Sequence, residues 1–224
     1  MGIKQETLRT LGSRVLVFYL VLGGVGYALI DKEKYNQGVR VRTLNNLMPA
    51  SYAPLIAVSY KGEPMDSRQW RRYGNYYREV IRFYPDMAEA YALLGFCYFY
   101  RGHPDKARTF YEQAYQRDPR FFWFPYQLGV LAMKAGRYEE AAGWFGRAAR
   151  QPSLRYTLAV LKRGSVIYTP IMNEAVSRLG ISPGARIQEA YQTAQKIRWL
   201  IEQKKVRDKR VLQRIAEMLR LEPY

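Results

Sequence analysis

The stretch that decides the fold is residues 91–119, YALLGFCYFYRGHPDKARTFYEQAYQRDP, which is echoed by residues 125–152, PYQLGVLAMKAGRYEEAAGWFGRAARQP. Small and aromatic residues of the first stretch return 34 positions later. The recurring pairs are Gly95 with Gly129, Gly102 with Gly136, Ala107 with Ala141, Tyr111 with Phe145, Ala114 with Ala148 and, one residue early, Pro119 with Pro152. Each copy has the length of a helix, a tight turn and a second helix. Such a hairpin cannot bury its apolar face alone, so the sequence predicts an all-α stack of hairpins.

The repeated positions have the sizes that such a hairpin needs. Small residues at Gly95 and Ala107 would let two helices approach closely, and larger neighbours would fill the space between them. Gly102 and Gly136 fall where a helix must stop and reverse, a place that favours a positive φ.

On these residues the chain resembles the tetratricopeptide repeat (TPR) family. The resemblance covers residues 66–152, with complete units at 87–120 and 121–152 and a degenerate half unit at 66–86. Two positions depart from the family pattern: Pro125 stands where a tryptophan is preferred, and Ala132 where a large aromatic residue is preferred.

The resemblance implies a concave groove lined by the first helix of each hairpin, where proteins of this family receive peptides or helices. The matching residues of this chain are Glu89, Ala92, Phe96, Phe99, Tyr100, Trp123, Tyr126, Val130, Met133 and Lys134. Members that clamp a terminal carboxylate use lysine and asparagine where this chain has Ala92, Phe96, Tyr126 and Val130. The implied groove is therefore aromatic and apolar, suited to an amphipathic helix or an apolar peptide.

The run from Phe121 to Phe124 is too apolar to be wholly exposed, so something must cover part of this lining. A protein partner could do so. So could the chain's own C-terminal helices, or a strap formed by residues 48–65. The sequence leaves these alternatives open.

Around the repeats, the chain divides by composition into an N-terminal segment at 1–34, a linker or strap at 35–65 and a basic C-terminal region at 153–224. Leucines at helical spacing predict a helix over 153–168, interrupted at Thr169 and Pro170. Ser182 and Asp208 are expected to cap two further helices, which would cover the open end of the stack.

Residues 15–30 carry no charge and would span roughly 24 Å as a helix, against about 30 Å for a hydrocarbon core. Extension back to Leu11 supplies the missing length, so we expect a single-pass signal anchor with the repeats on the exoplasmic or periplasmic side. A cleaved signal peptide and a buried core helix remain alternatives. Gly24 and Ala28 form a small-residue pair through which two such helices could pack, which would make a homo-oligomer.

The chain carries a formal charge of +17, and residues 153–224 hold fourteen lysines and arginines against six acidic residues. The densest cluster is the basic patch formed by Lys204, Lys205, Arg207, Lys209 and Arg210. Attraction to an anionic polymer or nucleic acid is one interpretation, and a solvated helix junction is the other.

The sequence gives no sign of an enzyme. One cysteine, Cys97, and one histidine, His103, cannot form a disulfide or a metal site between them, and nucleophile and phosphate-binding motifs are absent. We therefore predict no catalytic residue, cofactor or metal. The sequence favours a membrane-anchored TPR scaffold that binds a protein partner; the alternative is a secreted or membrane-associated binder of anionic polymer or nucleic acid.

Overall fold

The computed structural model describes residue 43, residues 46–203 and residues 208–223. The chain divides into two compact units, Met1–Met48 and Pro49–Tyr224, and almost all of the first lies outside the described residues. Within its described residues, the second unit is all-α. Its helices are α1 Ala53–Lys61, α2 Ser67–Phe83, α3 Ala88–Tyr100, α4 Pro104–Arg117, α5 Trp123–Lys134, α6 Tyr138–Ala148, α7 Gln151–Arg163, α8 Tyr168–Leu179, α9 Pro183–Glu202 and α10 Lys209–Met218.

Helices α2 to α6 pack each against the next, as a stack of hairpins requires. Within the α5/α6 hairpin the helices meet where Gly129 faces Phe145. A Cβ atom at Gly129 would lie only 2.8 Å from the Phe145 ring, and one at Gly95 would lie 3.1 Å from the Tyr111 ring. The predicted close approach is confirmed, because in both hairpins the absence of a side chain makes room for an aromatic ring.

The turns between paired helices share the hydrogen bond and the backbone conformation of their glycine. After α3, the amide of Gly102 donates to Phe99 O at 2.9 Å and Gly102 has φ +79°. After α5, the amide of Gly136 donates to Met133 O at 3.0 Å and Gly136 has φ +71°. The same conformation at positions 34 residues apart confirms the predicted register.

Helix α2 precedes these hairpins and begins with a capping box. The Asp66 carboxylate accepts from the Gln69 amide at 2.7 Å, and the Gln69 side chain accepts from the Asp66 amide at 3.1 Å. These two bonds satisfy donors that the first turn of a helix otherwise leaves unpaired.

Two segments differ from their sequence predictions. The predicted linker at 35–65 contains helix α1, with Pro54 tolerated in its first turn. The predicted helix over 153–168 ends earlier, because Gly164 has φ +87°, and Thr169 Oγ1 accepts from the Ser165 amide at 2.8 Å at the start of α8. Thr169 and Pro170 therefore begin a helix rather than interrupt one.

The last three helices return onto the earlier ones. Helix α9 packs along α6 and α7, α10 packs on α5, and α8 contacts α1. At the α6/α9 contact, the Arg198 side chain lies against Gly146, 3.3 Å from where a Cβ would stand. The C-terminal helices are thus part of the same packed body as the hairpins.

The predicted membrane span at residues 11–30 lies outside the described residues. Within the residues that are described, no helix has both the length and the apolar character needed to cross a bilayer.

Candidate protein-binding face

The ten residues of the predicted groove lie on α3 and α5, and we call their surface the inner face. Six of them are buried, three are partly exposed and one is exposed. The buried ones are Ala92, Phe96, Trp123, Tyr126, Val130 and Met133; Glu89, Phe99 and Tyr100 are partly exposed; Lys134 is exposed. Most of the inner face is therefore covered by the chain itself.

Part of this cover belongs to the ordinary core. The rings of Phe121 and Tyr168 stack with centroids 5.7 Å apart, and the Phe122 amide donates to Thr157 Oγ1 at 2.7 Å. Helices α7 and α8 thus bury the start of α5. Since Trp123 is also buried, it serves packing and offers no surface to a partner.

The remaining cover is a short extended stretch that follows α10. Residues 219–223, which we call the 219–223 segment, are not helical, and Leu221 and Glu222 are 0% and 2% exposed. Leu221 O accepts from Ser59 Oγ at 2.7 Å and from the Tyr100 hydroxyl at 3.4 Å. Glu222 O accepts from Gln127 Nε2 at 3.2 Å. Side chains of α1, α3 and α5 therefore bind the backbone of this segment.

The carboxylate of Glu222 forms the charged contact of the segment. Its Oε1 atom accepts from Arg186 Nε at 2.9 Å and from Arg186 Nη2 at 2.6 Å. Its Oε2 atom accepts from the Tyr60 hydroxyl. Arg186 Nη1 also pairs with Glu189 at 2.6 Å. The arginine is thus shared between a buried acid and an acid on its own helix.

Burial and pairing act in opposite directions on these groups. Burial raises the pKa of Glu222, and Arg186 and Tyr60 offset this only in part. Burial disfavours the charge on Arg186, but Glu222 and Glu189 outweigh it and hold the pKa of Arg186 above its usual range. The guanidinium is therefore a permanent cation facing the segment.

Lys134, at the end of α5, also contacts the C-terminal part of the chain. Its Nζ donates to Ala216 O at 2.8 Å, which satisfies one of the carbonyls that the last turn of α10 leaves unpaired. Burial lowers the pKa of Lys134. This predicted groove residue thus holds α10 in place.

The predicted basic patch is only partly described. Lys204, Lys205 and Arg207 lie outside the described residues. Lys209 and Arg210 are exposed in the first turn of α10, where Asp208 accepts from the Arg210 amide at 2.8 Å. No anion-binding arrangement can be built from these two residues.

Among the described residues, no group of three or more His, Cys, Asp and Glu side chains is placed to hold a metal ion. Cys97 is buried, and burial raises the pKa of its thiol.

Sequence reasoning missed four residues that hold or belong to the 219–223 segment: Ser59, Gln127, Arg186 and Glu222. Gln127 offered the clearest signal, since it is a polar residue between apolar neighbours on α5. Arg186 and Glu222 stand 36 positions apart with no motif to connect them, so their pairing becomes visible only in the fold.

No curated protein matches the chain. Residues 88–121 match the family model described as Tetratricopeptide repeat. The match contains α3, α4 and the turn between them, and the same turn recurs between α5 and α6. On this match and this succession of helices, the chain fits the tetratricopeptide repeat family.

Proposed function

We propose that the chain is a scaffold that binds another protein through its inner face. A tetratricopeptide repeat suggests a protein–protein interaction scaffold, and proteins with such repeats are generally not enzymes. The observation that carries the proposal is the 219–223 segment, an extended stretch held across α1, α3 and α5 in the place where such a partner would bind.

The contacts to this segment are those of a peptide site. Three hydrogen bonds from Ser59, Tyr100 and Gln127 reach main-chain carbonyls, which every peptide possesses. Backbone bonds of this kind supply affinity without regard to sequence, whereas side-chain pockets supply selectivity. Here Leu219, Leu221, Glu222 and Pro223 are buried, and Arg220 is exposed.

Membrane attachment forms the second part of the proposal and rests on the sequence of residues 11–30. A single-pass anchor, with the repeats on the exoplasmic or periplasmic side, would hold the inner face near a bilayer surface. This confinement raises the effective concentration of partners on the same membrane. Carbonate extraction of membranes tests the anchor: the full chain should stay with the lipid, and release into the soluble fraction would contradict it.

Photocrosslinking in membranes tests the binding face. Tyr100 is the best position for a photoreactive amino acid, because it lies on the inner face and is partly exposed. Gln116, exposed near the end of α4, is the matched control. We expect a defined crosslinked partner from position 100 and none from position 116. Equal crosslinking from both positions, or none from position 100, would contradict the proposed face.

Alanine substitution of Trp123 or Tyr126 is a poorer test. Both side chains are buried, at 1% and 2% exposure, so their loss would damage packing as well as binding. Gln127→Ala also changes a buried side chain, at 1% exposure, but it removes a hydrogen bond to the segment backbone and takes away less apolar volume than the loss of either ring.

A further inference from the structure

We propose that the inner face binds in trans an extended peptide in which an apolar residue is followed by glutamate, and that the 219–223 segment is the internal competitor of this ligand. The inference rests on the proposed function and adds to it the chemistry of the ligand and the means of its exclusion. Its basis is the pair Leu221 and Glu222, whose side chains are buried while their carbonyls accept bonds from side chains of α1, α3 and α5.

The surroundings of Glu222 select a carboxylate. Arg186 presents two N–H donors and Tyr60 presents a hydroxyl, and the two carboxylate oxygens accept all three. An apolar side chain at this position would leave these partly buried donors without that acceptor, which is costly even though Arg186 keeps its pairing with Glu189. A lysine would bring a second cation beside Arg186. The position therefore discriminates by charge as well as by shape.

This ion pair serves selection more than stability. A buried ion pair contributes little compared with apolar residues of the same volume, because desolvation offsets its attraction. A peptide without the carboxylate would nevertheless leave Arg186 without this acid, which is unfavourable. The contact therefore disfavours peptides of the wrong sequence, and such discrimination is what a selective peptide-binding site needs.

The segment can be replaced without taking the stack apart. Its contacts include three carbonyl bonds, the buried side chains of Leu219 and Leu221, the Glu222 carboxylate, and two bonds that Arg220 Nη1 donates to the carbonyls of Ser59 and Tyr60. A peptide with the same side chains supplies all of them. Helix α10, which carries the segment, packs on α5 and leaves Met218 74% exposed.

A cavity of about 380 Å³ lies beside the segment and gives room for flanking residues of a longer ligand. Its lining outside the segment includes the apolar Ile197 and Leu200 and the charged Arg186, Glu189 and Lys196. Additional apolar residues would suit these walls, so the cavity extends the apolar part of the same ligand chemistry.

A labelled synthetic peptide with the sequence of residues 216–223, AEMLRLEP, tests the inference on the full chain. Glu222→Lys places a cation beside Arg186 and should expel the internal segment, so this variant should bind the peptide at least about tenfold more tightly than the unchanged chain. A peptide carrying lysine in place of its second glutamate, which corresponds to Glu222, should not bind the variant. Leu221→Asp is a second way to open the face and should act in the same direction.

Charge reversal provides the specificity control. Arg186→Glu should reject the native peptide and accept the lysine-bearing one. Lys162→Glu makes the same charge change at an exposed site on α7 and should leave binding of both peptides as in the unchanged chain. Circular dichroism checks that each variant is folded.

The outcomes separate this inference from the scaffold function. If folded Glu222→Lys and Leu221→Asp chains bind the native peptide no better than the unchanged chain does, or bind the lysine-bearing peptide equally well, the inference is wrong. The proposed function is judged separately, by the crosslinks from position 100: their presence with no peptide binding would retain the scaffold and remove this ligand. Peptide binding without such crosslinks, in the unchanged chain and in the Glu222→Lys chain alike, would retain the ligand chemistry and remove the partner.

Discussion

The α5/α6 hairpin and the 219–223 segment are both buried, but they are held by different forces. In the hairpin, Gly129 and Phe145 fit each other so closely that a single added carbon would stand 2.8 Å from the ring. In the segment, Leu221 and Glu222 are held by hydrogen bonds to two main-chain carbonyls and by a paired carboxylate. The first contact depends on one matched pair of shapes, whereas the second uses groups that many peptides share.

This difference separates structure from function within one packed body. Contacts that depend on close shape are those that a stack needs, since a void or a clash in a dense core is costly. Contacts made through backbone carbonyls and one ion pair can pass from one chain to another. The predictions below test whether the two regions respond separately.

The largest effect is expected from Phe145→Ala. Phe145 is fully buried against Gly129, so its truncation should lower the free energy of unfolding by about 3–5 kcal/mol. Urea unfolding measures it. The control Gln116→Ala changes an exposed side chain on α4 and should stay within about 0.5 kcal/mol. If both variants lost a similar free energy of unfolding, the conclusion that packing of the Phe145 ring stabilises the hairpin would be wrong.

Alanine substitution of two glycines in the same hairpin should change the free energy of unfolding in opposite directions. Gly129→Ala brings a Cβ against the Phe145 ring and should destabilise the fold by about 1–3 kcal/mol. Gly143→Ala, in α6, meets nothing within 4 Å and should stabilise the fold by about 0.5–1 kcal/mol, because alanine favours a helix. Paired urea curves measure the difference, and equal signs would show that close approach does not govern this hairpin.

The sequence predicted the hairpins well because their determinants are local and repeated. Gly102 and Gly136 each fix a turn through their own backbone, and the 34-residue spacing places them in one register. The predicted end of α7 is wrong because the prediction takes Pro170 as the residue that stops the helix. The helix stops at Gly164, and Pro170 lies in the first turn of α8, where proline is tolerated. Helix α1 was missed for the same reason, since Pro54 opens it.

The cover of the inner face could not be predicted in this way. The sequence required some cover for the aromatic run at 121–124, but it did not choose between a partner and the chain itself. The choice depends on Arg186 meeting Glu222 and on Ser59 meeting Leu221, which are tertiary contacts without a periodic signal.

A smaller and local effect is expected from Leu221→Ala. Its fully buried side chain holds the 219–223 segment, so truncation should lower the hydrogen-exchange protection of this segment by about 10–100-fold. The urea midpoint should change less than for Phe145→Ala, because the segment can leave before the stack unfolds. A midpoint shift as large as that of Phe145→Ala would mean that the segment belongs to the folding core.

The smallest effect concerns Cys97, which reports on the hairpin region from within α3. The thiol lies near Tyr73 and Tyr77 of α2, and burial raises its pKa, so the folded chain should react with thiol reagents only when α2 and α3 part. Because the unfolded chain ionises this thiol more readily, the free energy of unfolding should fall as the pH rises past the ordinary thiol range.

Leu221→Ala should change the rate of Cys97 labelling at pH 8 by no more than about twofold, whereas Phe145→Ala should raise it severalfold. Fast labelling in Leu221→Ala would show that release of the segment opens the stack, and the two regions would then act as one.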